Sequence, residues 1–273
     1  MSQSSGNMPL VWFTSLAIGG AGVIASSAWR APSDLSSQAV GLAIGTIALG
    51  AGILVSLSHL GRKSRAPLAV GGVGRSALSH EIVLAGATLA AALALLAMYW
   101  QGAFSAWPRI AAAATATLFL LSIGRVYHLG GQRTWRGATV LIPLTAGLVC
   151  GEVFLQAIGN ASIREDSLAY WIVPIDALVF TVRWWTLARD TPPLVAPRVD
   201  GSRLHNLSAA RLLIFDAVPL VLLDMHVAGP AIVAVALGLA LDRWLFYALA
   251  DQHTTEAEIA RVEAMIERGS RIG

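Results

Sequence analysis

The chain has 273 residues, of which 56% are hydrophobic and only 13% charged, with a mean hydropathy of +0.66. A soluble protein of this length needs far more charge to cover its surface, so the composition calls for an integral membrane protein. The net charge of +3 resides in basic loops and gives no separate support for a nucleic-acid partner.

Roughly 20 apolar residues cross about 30 Å of hydrocarbon. Taken along the chain, eight stretches meet that need: 10–28, 39–59, 79–100, 109–128, 138–158, 168–187, 212–228 and 230–250. The predicted fold is all-α, an integral bundle of eight transmembrane helices over 1–250, with a cytoplasmic tail over 251–273. The seventh stretch is short and holds Asp216, Pro219, Asp224 and His226, so seven crossings with a re-entrant piece is the alternative. Met1–Pro9 carries no Lys or Arg, which argues for a retained first helix over a cleaved signal. The tryptophans Trp12, Trp29, Trp100, Trp107, Trp135, Trp171, Trp184, Trp185 and Trp244 fall at or near predicted ends, where an amphipathic indole prefers to sit. The sole cysteine, Cys150, lies inside the fifth stretch, which excludes an intrachain disulfide and a cysteine-ligated iron–sulfur cluster in this chain.

Orientation follows from the placement of Lys and Arg. With eight crossings, sixteen of the nineteen fall on the side of the termini, leaving only Arg30, Arg109 and Arg164 opposite. That count places Arg183, Arg211 and Arg243 among the loop charges. Both termini are therefore expected in the cytoplasm of a bacterium, with the chain embedded among the lipids of its inner membrane. In the tail, Thr255 and Glu258 have capping-box spacing, and Ile259, Val262 and Ile266 form a narrow apolar stripe, which predicts a short amphipathic helix. The connection 190–206, with Pro192, Pro193 and Pro197, is expected to be a stiff polar loop.

The candidate chemistry lies between the second and third stretches. His59 ends one apolar run, Glu81 opens the next, and a short basic loop with Gly61, Gly71, Gly72 and Gly74 joins them. Ionisable groups at a bilayer edge are costly to desolvate and mark a functional site by default. A histidine titrates near neutrality and a desolvated carboxyl can hold or relay a proton, so the pair suits the protons that accompany quinone redox chemistry.

Longer motifs carry a resemblance. His59-Leu60-Gly61 followed by Arg65-Ala66, and Gly74-x-Ser76-Ala77-Leu78-Ser79-x-Glu81, are similar to the second and third helices of DMSO reductase membrane-anchor subunits. Pro9-Leu10-x-x-Phe13-Thr14, Arg125-Val126-Tyr127 and Phe246-Tyr247 are weaker echoes. The resemblance implies an anchor that binds menaquinone or ubiquinone and carries neither haem nor an iron–sulfur cluster. Its partners would be a ferredoxin-like iron–sulfur subunit and a molybdopterin catalytic subunit, where the main substrate is converted. Carried over by motif, His59 and Glu81 correspond to positions linked to quinol binding. Gly61, Arg65 and Ser79 complete the quinone-binding set on the same two motifs. Arg125, Tyr127 and His128 join it from the end of the fourth stretch, where His128-Leu129-Gly130 repeats the tripeptide at His59. His80 stands where the family more often has an amide.

Orientation favours the anchor of a cytoplasm-facing sulfite dehydrogenase, which reduces quinone. The anchor of a DMSO-type reductase, which oxidises quinol, is the alternative. A proton-coupled secondary transporter using Glu152, Asp216 and Asp224 is a reading from another class. The cluster Asp216, Asp224 and His226 is otherwise expected to pair between helices.

Overall fold

The computed structural model describes residues 8–30, 35–59, 76–102, 105–126, 137–159, 168–190 and 201–248. These residues form helices and contain no strand. In chain order the helices are α1 (Met8–Trp29), α2 (Leu35–His59), α3 (Ala77–Trp100), α4 (Ala106–Val126), α5 (Ile142–Ile158) and α6 (Ala169–Asp190). The seventh, α7, is α-helical over Gly201–Arg211 and Val218–Asp224, with the π-helical stretch Leu212–Ala217 between them. The eighth, α8, is Ala228–Ala248. A single 3-10 turn, Gly137–Val140, leads into α5.

Each apolar stretch expected from the sequence holds a helix. Six of the helices, α1 to α4, α7 and α8, are long and apolar enough to cross a membrane. The apolar helix α5 has 17 residues and falls short by length, and α6 carries Asp176 and Arg183 among its apolar residues. The predicted tail helix lies outside the described residues, as does most of the expected polar connection before α7.

The seventh helix differs most from expectation. It begins at Gly201, well before the apolar stretch, because residues 201–211 are too polar to register as a span. Ser208 and Arg211 on that segment are nevertheless buried, and the segment packs against α8. Pro219 has no N–H to offer the preceding turn. The chain adjusts with a π stretch in which the Val218 N–H reaches the Leu213 carbonyl, five residues back. At the other end, the N–H of Val227 donates to Leu222 and that of His226 to Leu223, with His226 at φ 59°. This is the left-handed cap that terminates helices. His226 is thus a helix stop and, with Asp224, is exposed; the expected grouping of Asp216, Asp224 and His226 does not form.

Helix α1 is the central element, packing against α2, α4, α5 and α8. Small residues set how closely it is approached, as in membrane bundles generally. A Cβ on Gly22 would stand 1.8 Å from the Gly147 carbonyl oxygen of α5, and one on Gly151 would stand 2.3 Å from the Gly22 carbonyl oxygen. Gly20 of α1 meets Gly45 and Leu49 of α2, while Gly52 of α2 meets Phe13 and Ala17 of α1. These pairs make α1 and α2 antiparallel, and α1 and α5 parallel. Tyr99 near the end of α3 stands beside Arg109 at the start of α4, and Arg109 donates to the Arg30 carbonyl at the end of α1. The start of α1, the end of α2, the start of α3 and the end of α4 therefore share one face of the bundle. Among the described residues helix α3 packs chiefly on α2 and α4, and Leu78, Ile82, Val83 and Leu93 are exposed. The tryptophans Trp12, Trp29, Trp100, Trp107, Trp171 and Trp185 are exposed at or near helix ends, as expected of an interfacial belt, whereas Trp184 and Trp244 are half-buried and pack against the core, and Trp135 lies outside the described residues.

Candidate functional site

Glu81 lies in the second turn of α3, on the shared face. Its position in the helix turns it inward with Ser79, Ala85 and Thr88, and both Ser79 and Glu81 are buried. Its Oε1 is buried with no hydrogen-bond partner among the described residues. A carboxyl oxygen withdrawn from water without a donor is costly. His80, beside it, is only partly buried and its Nδ1 bonds back to the Ser76 carbonyl at 2.9 Å, dressing the first turn of α3.

His59 is the final residue of α2, the helix that packs beside α3, so its backbone ends at the same face as Glu81. Arg125, in the last turn of α4, is exposed at that face. The structure thus gathers the His59 backbone, Ser79, Glu81 and Arg125 at one end of the bundle. Gly61, Arg65, Tyr127 and His128 lie outside the described residues.

A second polar site is buried among α5 to α8, and sequence reasoning did not anticipate it. Arg211 of α7 is fully buried and directs each arm of its guanidinium to a different carboxylate. Its Nη2 meets Asp176 Oδ2 of α6 at 2.7 Å, its Nη1 meets Asp216 Oδ2 at 2.7 Å, and its Nε meets Asp242 Oδ1 of α8 at 3.1 Å. The flat faces of the same group lie 4.3 Å from the Phe180 ring centroid and 4.4 Å from that of Phe215. Asp242 is shared with Arg243 through its other oxygen, Nε donating at 2.9 Å. The Thr145 hydroxyl of α5 donates to Asp176 Oδ1. Four helices are therefore tied through one arginine, which satisfies its charge in a region where water is scarce. Arg183 lies in the same region, its guanidinium 5.1 Å from the Phe246 ring centroid, but its Nε and Nη2 have no hydrogen-bond partner among the described residues.

Arg183, Arg211 and Arg243 are at most 2% exposed. They are interior charges, and the expectation that they sit in cytoplasmic loops is corrected. Composition treats an arginine near a helix end as a loop charge; here each arginine finds an acidic or aromatic neighbour inside the bundle. The signal was present in Asp176 and Asp242, since acidic groups within apolar spans require cationic partners. Glu152, inside α5, pairs with Arg30 at 2.7 Å, which joins α5 to the end of α1 at the opposite face. Cys150 is buried and free.

The comparisons place the chain. The family model described as DMSO reductase anchor subunit (DmsC) matches residues 1–188. The match takes in the described parts of the His59–Glu81 site, together with Asp176 and Arg183, and ends within α6, before Arg211, Asp216 and Asp242. No curated protein and no solved structure matches the chain. Since the family model spans more than half of its length, this multi-pass membrane protein belongs to the DMSO reductase anchor subunit family.

Proposed function

We propose that the chain is the quinone-reactive anchor of a molybdopterin oxidoreductase complex, exchanging electrons between an iron–sulfur partner subunit and the quinone pool. In this reading it crosses the bacterial inner membrane eight times, with both termini and the His59–Glu81 face in the cytoplasm. The observation that carries it is Glu81: a buried carboxyl with an oxygen that has no partner among the described residues, on the motif that resembles quinol-binding positions, in a chain of the anchor family. An orphaned carboxyl oxygen suits a ligand whose hydroxyl donates to it, or whose carbonyl accepts from its protonated form.

The bound quinone supplies the two-electron redox change, with two protons to be exchanged at its ring oxygens. Glu81 holds or takes up the proton at one ring oxygen. His59 serves the other, its ring able to donate or accept near neutral pH. By motif, Arg65 is assigned to orient the ring or pair with Glu81, and Gly61, Tyr127 and His128 join Ser79 and Arg125 in the proposed set. In the quinone-reducing direction the electrons would be supplied by an iron–sulfur cluster of the partner subunit.

Setting the three buried arginines aside leaves thirteen cations on the side of the termini against three opposite, so the charge bias still supports cytoplasmic termini. A cytoplasm-facing site favours an anchor like that of sulfite dehydrogenases, with quinone as the electron acceptor. The DMSO-type direction would use the same residues in reverse. The transport reading loses support from the geometry, because Glu152 is paired with Arg30 and Asp224 is exposed.

The test is His59→Ala in the purified complex. Quinone-linked turnover is expected to vanish while partner assembly and artificial-dye activity persist. Loss of both activities would make His59 structural, and retained quinone turnover would remove it from the site.

A further inference from the structure

We propose that Arg183 anchors a binding site for the phosphate of an anionic membrane lipid, seated at the seam between α6 and α8. The site lies at the face that carries Glu81. Phe246, in the last turn of α8, packs with Val11 and Leu10 at the start of α1, and the start of α1 belongs to that face. The Arg183 guanidinium lies 5.1 Å from the centroid of the Phe246 ring, and that of Arg243 also lies at 5.1 Å. Two cations thus meet one aromatic ring near an edge of the bundle.

The two cations are not equally provided for. Arg243 donates to Asp242 through Nε at 2.9 Å. Arg183 forms no ion pair among the described residues, and its Nε and Nη2 are buried without a hydrogen-bond partner there. Those two nitrogens form one edge of the planar group. An N–H of each points the same way, spaced to meet two oxygens of a single phosphate or carboxylate. None of the three carboxylates of the network supplies them: Asp176 and Asp216 are held by Arg211, and Asp242 is divided between Arg211 and Arg243. A cationic side chain only 2% exposed is expensive to leave with two donors unmet, so the edge calls for an anionic ligand.

Position decides which anion. The outer side of α6 is apolar and exposed at Leu178 and Val182, and the exposed Trp185, two residues beyond Arg183, suits the bilayer interface. Arg183 is therefore close to the depth at which lipid phosphates lie. Helices α6 and α8 are not joined by close backbone packing; they meet through the side chains of Phe180, Trp184, Trp244 and Leu245. A basic seam between membrane helices is a recurrent setting for an anionic headgroup. The phosphate takes the Nε–Nη2 edge, and the acyl chains run along the apolar outer side of α6.

Native mass spectrometry and thermal melting of the full-length protein, purified in mild detergent and stripped of lipid, read the site directly. Three probes separate the sources of the chemistry: phosphatidylglycerol, diacylglycerol with the same acyl chains, and inorganic phosphate. The expected result is a retained phosphatidylglycerol adduct and a saturable rise in melting temperature with that lipid alone. Arg183→Gln should weaken phosphatidylglycerol binding on the order of 10- to 100-fold, the loss of a charged two-point contact. Arg183→Lys, which keeps the charge and loses the fork, should fall between the two. Equal stabilisation by diacylglycerol would reduce the effect to acyl-chain packing, and stabilisation by inorganic phosphate in place of the lipid would assign a soluble anion. Either result overturns the proposal, as does the absence of a phosphatidylglycerol effect or binding unchanged in Arg183→Gln. If Arg183→Gln fails to fold, Arg183→Lys and the three probes on the unmutated protein decide. None of these readings requires quinone turnover or a partner subunit, so the outcome is independent of the function proposed above.

Discussion

Glu81 and Glu152 are both carboxylates within apolar helices, yet their surroundings give them different work. Glu152 is neutralised by Arg30 at 2.7 Å and joins two helices, whereas Glu81 keeps an oxygen without a donor among the described residues. An unpaired buried polar atom is tolerated where a ligand completes it. Replacing Glu81 with Gln keeps the shape and removes the proton-carrying group. Quinone-linked turnover of Glu81→Gln should fall on the order of 10²-fold, the usual size of a general acid–base contribution, and its pH profile should change shape. An unchanged profile would take Glu81 out of proton handling. The position of Glu81 was legible because a carboxyl opening an apolar run stands out in one dimension. The Arg211 network was not. Its members come from residues 145, 176, 211, 216, 242 and 243, and no local pattern in the chain announces that they converge. Asp216 did attract notice, but linear proximity grouped it with Asp224 and His226, which the helix stop at His226 turns outward.

Helices were legible wherever length and apolarity alone define them, as in α1 to α4. The start of α7 was missed because 201–211 earns its helical state from packing against α8, with Arg211 saturated by three carboxylates. Tertiary context overrides composition there. Breaking such a network on one side is expensive, since a buried charge left without its partner costs about 3–5 kcal/mol. The α1–α5 crossing depends on absent side chains. Gly22→Ala would drive a methyl into the Gly147 backbone, which cannot swing aside as a flexible side chain can. A clear drop in thermal stability and in yield of folded protein is expected. Gly50→Ala, whose Cβ would meet nothing within 4 Å, should be tolerated or slightly stabilising. Equal melting behaviour of the two variants would show that α1 and α5 are not held at this close approach.

At the scale of the whole molecule, the fold gathers one set of helix ends at a single face, and that face carries the proposed quinone site. The polar network is buried between helices, with Thr145 on the first turn of α5 and Asp242 and Arg243 in the last two turns of α8. Its burial explains why a charge count from sequence overstated the loop cations while still giving the same orientation. A reporter fused after Gly273 should be active only in the cytoplasm; periplasmic activity would reverse the orientation and favour the DMSO-type direction. The substrate could not be read from this chain, because an anchor exchanges electrons with chemistry performed elsewhere. Mild affinity purification from the native membrane, with identification of what accompanies the protein, tests the central claim most directly. The account predicts two larger soluble subunits, one holding a molybdopterin cofactor and the other iron–sulfur clusters. A chain that purifies alone and homogeneous would contradict it, because a quinone site without an electron-carrying partner has no source or sink for its electrons.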